Sequence, residues 1–276
     1  MHCPSIIGAA VSIPGSFDGS VVQDAKSQQR ISGGEVQDLD LEKVDGELSA
    51  SLASWSFGGT VYRSFDEHIT RSVPMYSECH ELILSLSDFF VRPDSIVYEL
   101  GSATGVLTAQ LAQRHASKLR RIIGIDIEQS MVTEAERRYG NPSVVQFVEA
   151  DVRSYKFEPS DFVVSYYTLQ FLRPEERHHV IKAVCEKMAR GGAFVLFEKV
   201  RERDGRLQDL VDQLYADYKL GNGFEPTEIL AKTRSLRSVL EPSTSAENIA
   251  ALREAGFSVV GLIHKGLCFE GYLAIK

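Results

Sequence analysis

The sequence predicts an α/β fold, a Rossmann-like, doubly wound and mostly parallel sheet, on three observations. Short β-rich runs alternate with helical stretches from residue 96 onward. The first run leads directly into a turn of small residues, Gly101-Ser102-Ala103-Thr104-Gly105, and the second ends in an acid, Asp126. Alternation of this kind means a parallel sheet, because each parallel pair needs a helical crossover. A chain of 276 residues suffices for one such domain with an appendage and is short for two catalytic domains.

Residues 1–50 are rich in Ser, Gly, Gln and Asp, with short apolar islands that bury too little to offset chain entropy. They read as a poorly ordered extension or as a lid that orders over the site, and both readings stay open. The folded domain is expected over 51–276. Phe57, Val61, Phe65 and Ile69 recur at spacings of four, which predicts one helical face, and His80 to Phe90 continues as a second amphipathic helix. The expected strands and helices then alternate: strand 96–100, helix 106–115, strand 121–126, helix 130–138, strand 144–149, strand 161–165 and helix 174–188. A Gly191-Gly192 turn precedes a strand over 193–198. Residues 205–248 form a mostly helical cap insertion, followed by a helix over 249–255 and strands over 258–264 and 267–275.

A formal net charge of -8 argues against a nucleic-acid partner, since neutralising phosphates needs a concentrated basic surface. Cys3, Cys79, Cys185 and Cys268 show no metal-ligand or disulfide spacing, so no metal is expected and a reducing cytoplasm fits. No apolar run is long enough for a membrane span, and no export signal is evident.

Ligands of parallel sheets bind beyond the carboxyl ends of the strands. Glu99 closes the first strand, and Gly101 and Gly105 are the positions where a Cβ would obstruct a ligand touching the backbone of Ser102 and Ala103. Asp126 follows about two dozen residues later, the offset at which a carboxylate accepts both ribose hydroxyls of an adenosine. The run 101–105 lacks the extra glycine that seats a pyrophosphate, which favours S-adenosylmethionine over NAD or FAD. Asp151 is expected on the adenine amino group with Val152 on the ring, and Tyr76, Ile127 and Ser165 complete the cofactor set. Tyr166 and Tyr167 end the fourth strand and face the sulfonium, which an aromatic face stabilises by about 0.5–2 kcal/mol. The alternative is that both are packed tyrosines with satisfied hydroxyls.

On these residues the chain resembles the carboxy-S-adenosylmethionine synthases, a branch of the class I methyltransferases. The likeness rests on Arg71-Ser72-Val73-Pro74-Met75-Tyr76-Ser77, Val97-Tyr98-Glu99-Leu100-Gly101, Thr168-Leu169-Gln170-Phe171-Leu172, Glu198-Lys199 and Asn222-Gly223. It implies S-adenosylmethionine and prephenate as substrates, a homodimer, and an arginine that holds the added carboxylate. That arginine aligns with Thr233, and Arg234 lies one place away, about 100 degrees round a helix. The family's strand-end asparagine is replaced by Tyr166. The changes gather on the substrate side.

Four readings follow. The first is a transferase acting on a small molecule, with Tyr166, Tyr167, Glu198 and Arg234 as candidate catalytic residues; His264 reads better as a hydrogen-bonded strand histidine. The second is retained carboxy-S-adenosylmethionine synthesis, with Arg234 or Arg237 clamping the carboxylate and Arg71 nearby. The third is cyclisation of S-adenosylmethionine itself to azetidine-2-carboxylate and methylthioadenosine. The fourth is a cofactor-binding scaffold.

Overall fold

In the computed structural model the described residues are 57–276, so the 1–50 extension and Trp55 lie outside them. Seven strands form one sheet in the order β3-β2-β1-β4-β5-β7-β6. The strands are β1 (Ser95–Leu100), β2 (Leu119–Asp126), β3 (Val145–Glu149), β4 (Ser160–Tyr166), β5 (Met188–Lys199), β6 (Val259–Gly266) and β7 (Phe269–Ile275). β1 to β5 are parallel and β7 runs antiparallel between β5 and β6. Strand order reverses between β1 and β4, which opens the crevice where open α/β sheets bind ligands.

The central strands carry apolar side chains on both faces because both faces are covered. Val97, Ile122, Phe162, Val164, Val195 and Phe197 face α2 (Tyr76–Ser87) and α3 (Val106–Arg114). The alternate positions Tyr98, Leu100, Ile123, Val163, Phe194 and Leu196 pack on the other side with α5 (Pro174–Lys187) and α8 (Ser245–Glu254). This period of two fixes which side chains at each strand end face which side.

Several boundaries differ from the sequence expectation for stated physical reasons. The helix expected through Phe57 and Ile69 is a 3-10 turn at Val61–Arg63 followed by α1 (Phe65–Ser72). The four apolar residues instead form one wall of a cavity. The second helix begins at Tyr76, after Met75 in the left-handed region at φ 57°. Gly191-Gly192 is a bulge inside β5 rather than a turn before it, because Gly191 at φ +74° lets extra residues loop out between the Ser160 and Phe162 pairings. α4 (Gln129–Tyr139) links β2 to β3, and the helical insertion holds α6 (Gly205–Gly221) and α7 (Pro226–Ser235).

Candidate functional site

A cavity of about 640 Å³ lies over the carboxyl ends of β1, β2 and β4. The glycine turn crosses its floor. Asp126 is fixed there by the chain it faces: its Oδ2 accepts from the Ala103 amide at 2.8 Å and its Oδ1 from the Glu128 amide at 3.0 Å. An ionised carboxylate has about four lone-pair sites, so both oxygens keep acceptor capacity. Burial pushes the Asp126 carboxyl above its ordinary range, while these amides draw it down.

Glu99 is buried at the end of β1, accepts a hydrogen bond from Thr108 and lines the same cavity. Burial raises its pKa to about 8. Asp151 and Val152 line the far side, where Asp151 is held by the Arg153 amide at 2.9 Å and by the Arg153 guanidinium. The guanidinium holds its carboxyl below the ordinary range. Ile127 is exposed at the rim.

The opposite wall is aromatic. Tyr166 packs with Tyr76 at 4.9 Å and with Tyr167 at 4.6 Å between ring centroids. The Tyr166 hydroxyl donates to the Tyr76 carbonyl at 2.7 Å, so that hydroxyl is occupied by the fold. Tyr167 differs: it sits in the left-handed region at φ 59° and its buried hydroxyl has no hydrogen-bond partner among the described residues. A bulky residue held at positive φ costs about 1–3 kcal/mol and concentrates at functional sites.

Four expected site residues stand elsewhere. Gly105 does not line the cavity; a Cβ there would lie 2.6 Å from the Phe147 ring, so this glycine lets α3 pack on β3. A Cβ on Gly101 would lie 2.1 Å from Thr168 Oγ1, which makes that position a packing constraint as well as a cavity floor. Ser165 is fully buried behind Tyr166 and outside the lining. Glu198 is 0% exposed on the α5 side of the sheet, away from the cavity, where burial raises its pKa to about 8 and nearby Arg177 draws it down. Arg234 is exposed on the outside of α7. His264 faces Phe197 at 5.9 Å and is also outside the lining.

A second chamber of about 290 Å³ adjoins the first, and Phe57, Phe65, Ile69 and Phe171 line both. Among the described residues its lining carries Lys199, Lys219, Lys232 and Arg237, with His68 and Tyr215, and no carboxylate. Lys199 and Lys219 place their ammoniums 4.9 and 4.4 Å from the centroid of one ring, Tyr215. Neither ammonium has a carboxylate within ion-pair distance among the described residues, although Lys219 is only 8% exposed. Burial, then repulsion from Lys199, lowers the Lys219 pKa to about 8. Lys232 bonds to His68. Thr233 in α7 and Arg237 just after it line this chamber although both are exposed, whereas Arg234, also exposed, does not line it. Arg71 is committed elsewhere, its guanidinium donating to the Asn222 and Gly223 carbonyls at the end of α6.

The sequence reading missed this chamber. Val211, Tyr215 and Lys219 recur every four residues along α6, so a lysine within an apolar stripe was the available signal.

Residues 97–192 match the family described as Methyltransferase domain. The carboxy-S-adenosyl-L-methionine synthase of Staphylococcus epidermidis is 33% identical over 226 residues, 80% of this chain and 97% of that protein. The synthase of the same name from Klebsiella pneumoniae is 33% identical over 230 residues, 82% of this chain and 93% of its own. Among solved structures, human N-acetylserotonin methyltransferase in complex with SAM superposes with a TM-score of 0.54 at 19% identity, covering 78% of this chain and 55% of that one. That likeness carries the fold. The chain therefore belongs to the carboxy-S-adenosyl-L-methionine synthase family, an S-adenosylmethionine-using enzyme branch of the class I methyltransferase fold.

Proposed function

We propose that the chain is an S-adenosylmethionine-dependent transferase whose second substrate is a small carboxylate seated in the basic chamber. One observation carries this reading: charge is divided between two adjoining cavities. Asp66, Glu78, Glu81, Glu99, Asp126, Glu128 and Asp151 line the larger one, against Arg153 among the described residues. Among the described residues, the smaller one presents Lys199, Lys219, Lys232 and Arg237 and no carboxylate. A sulfonium is favoured in the first field and an anion in the second.

In this proposal Asp126 accepts the ribose hydroxyls, Asp151 and Val152 hold the adenine, and Gly101, Ser102 and Ala103 offer backbone to the sugar and methionyl chain. Tyr76, Tyr166 and Tyr167 turn aromatic faces to the cationic end. Lys199 and Lys219 take the carboxylate of the second substrate. The protein then contributes mainly orientation and exclusion of water, holding nucleophile and sulfonium in line. The cytoplasmic setting and the homodimer expected from sequence belong to the same proposal.

The second reading is carboxy-S-adenosylmethionine synthesis, favoured by the relatives' name and by a chamber whose cations suit the two carboxylates of prephenate. Arg237, one turn from Thr233, stands in for the missing arginine in that reading. The test is incubation with S-adenosylmethionine alone and then with prephenate, read by mass spectrometry. A carboxylated sulfonium formed only with prephenate selects the second reading. Methylthioadenosine and azetidine-2-carboxylate formed without a second substrate would overturn the transferase proposal.

A further inference from the structure

Lys199 and Lys219 both lie against the Tyr215 ring, and the contacts that ordinarily hold a lysine are missing from each. Among the described residues neither Nζ has a hydrogen-bond partner, and neither is sealed from water, although Lys219 is only 8% exposed. The ring they share is fixed: the Tyr215 hydroxyl donates to the Ser72 carbonyl at 3.0 Å, and Phe269 packs on the ring at 5.3 Å between centroids.

Holding a carboxylate requires cations only. A lysine that is desolvated, without an acid and beside a second cation, gains a further property: part of its amine is free of the third proton near neutral pH, and the free amine attacks carbonyl carbon. Burial and then Lys199 act on Lys219 in this way, lowering its pKa to about 8. The other cations of the chamber are unsuited, since Lys232 is bonded to His68 and a guanidinium such as that of Arg237 keeps its proton. Lys199 is the more exposed of the pair and offers a positive charge beside the amine. An amine and an ammonium against one ring suit a ligand whose carbonyl and carboxylate are adjacent. Val61, Ile69, Phe171 and Phe269 make the rest of the wall apolar, which suits a hydrocarbon tail.

We propose that Lys219 Nζ condenses with the carbonyl of a 2-oxo acid to form a protonated imine, while Lys199 holds the adjacent carboxylate. The proposal rests on the chamber as the seat of the second substrate; it divides the work of the two lysines and names the substrate class. The ammonium first releases one proton to water. The free amine attacks the carbonyl carbon, a C–N bond forms, and the C–O bond breaks. The oxygen departs as water, carrying one hydrogen from the nitrogen and the proton released at the start. No oxidant or reductant enters, and the iminium charge is balanced by the carboxylate of the same ligand.

The test is reductive trapping in the full chain: phenylpyruvate with cyanoborohydride at neutral pH, read by intact-mass and peptide mass spectrometry. Phenyllactate, which has the same charge and no carbonyl, is the competitor. A single adduct is expected on Lys219, equal in mass to phenylpyruvate less one oxygen. It should form about ten- to a hundredfold faster than at any other lysine, the gain in free amine that the lowered pKa allows. Excess phenyllactate is expected to suppress it. Lys219→Arg and Lys219→Met, each checked for cooperative melting, are expected to carry no adduct. An adduct on Lys199 or Lys232, even labelling across the lysines, or an adduct that persists in both variants overturns the proposal. An adduct on Lys219 that phenyllactate does not suppress overturns the 2-oxo acid as the class. If both ligands raise the melting temperature equally and nothing is trapped, the anion seat stands and the imine fails. If neither raises it and nothing is trapped, both fail.

Discussion

Thr168 determines what residue 101 can be. Its hydroxyl and methyl occupy the space that a side chain on residue 101 would enter, and the backbone there is left-handed at φ +73°. Gly101→Ala meets both objections, about 1–2 kcal/mol for the backbone and about 1–3 kcal/mol for overpacking. The expected outcome in urea denaturation is a destabilised chain, and in calorimetry a weakened cofactor, since Thr168 also lines the cavity. Stability within about 0.5 kcal/mol of wild type, the range of an unremarkable surface substitution, would refute this account. The glycine itself was plain in the sequence. Its reason was not, because Thr168 is 67 positions away and only the β1–β4 pairing brings it alongside. Gly105 teaches the same lesson through Phe147: a glycine-rich turn signals closeness without saying whether the neighbour is ligand or protein.

Helix ends carry the next level of information. α8 starts at Ser245, four residues before the expected start at Ile249, because Thr244 caps it. The Thr244 side chain accepts from the Glu247 amide at 3.3 Å and Glu247 accepts in return from the Thr244 amide at 2.7 Å. This reciprocal pair is readable as Thr-x-x-Glu before an apolar stretch, and the apolar period alone overlooked it. Thr244→Ala is expected to cost about 0.5–2 kcal/mol in denaturation while leaving cofactor affinity untouched, since α8 packs on α5 and β6 away from the cavity. A parallel loss of affinity would show that α8 couples to the site. The end of α7 shows the complementary case, where periodicity did suffice: Thr233 and Arg237 line the chamber while Arg234, one place on from Thr233, does not. Strand β5 was legible as β, but its bulge was not, since Gly191-Gly192 marks a turn and a bulge equally well.

At the scale of the molecule, the mostly parallel α/β class and the residues now found around the larger cavity were legible in short-range patterns: alternating elements, a small-residue turn and a strand-end acid. The basic chamber was not, because its cations come from β5, α6, α7 and the segment after it, which are adjacent only once the insertion packs against α1. That assembly has a thermodynamic consequence. Two ammoniums held near one ring without a carboxylate destabilise the chain in the absence of an anion, and the tyrosine contact offsets only part of this. Lys219→Met keeps the stem and removes the charge, so it is expected to stabilise the ligand-free chain by roughly 1–3 kcal/mol at pH 7. The sign of the pH dependence follows from the lowered pKa. Folded Lys219 sheds its proton near pH 8 and an unfolded lysine near 10.5, so in that interval the unfolded chain binds the extra proton and stability rises with pH. The advantage of Lys219→Met is therefore fully present below about pH 8 and shrinks towards pH 10.5. An anion that binds only the folded state raises stability by mass action. Prephenate is thus expected to raise the melting temperature of the wild type and to lose that effect in Lys219→Met. A variant less stable than wild type at pH 7 that is still protected by prephenate would place the anion, and the second substrate, outside this chamber.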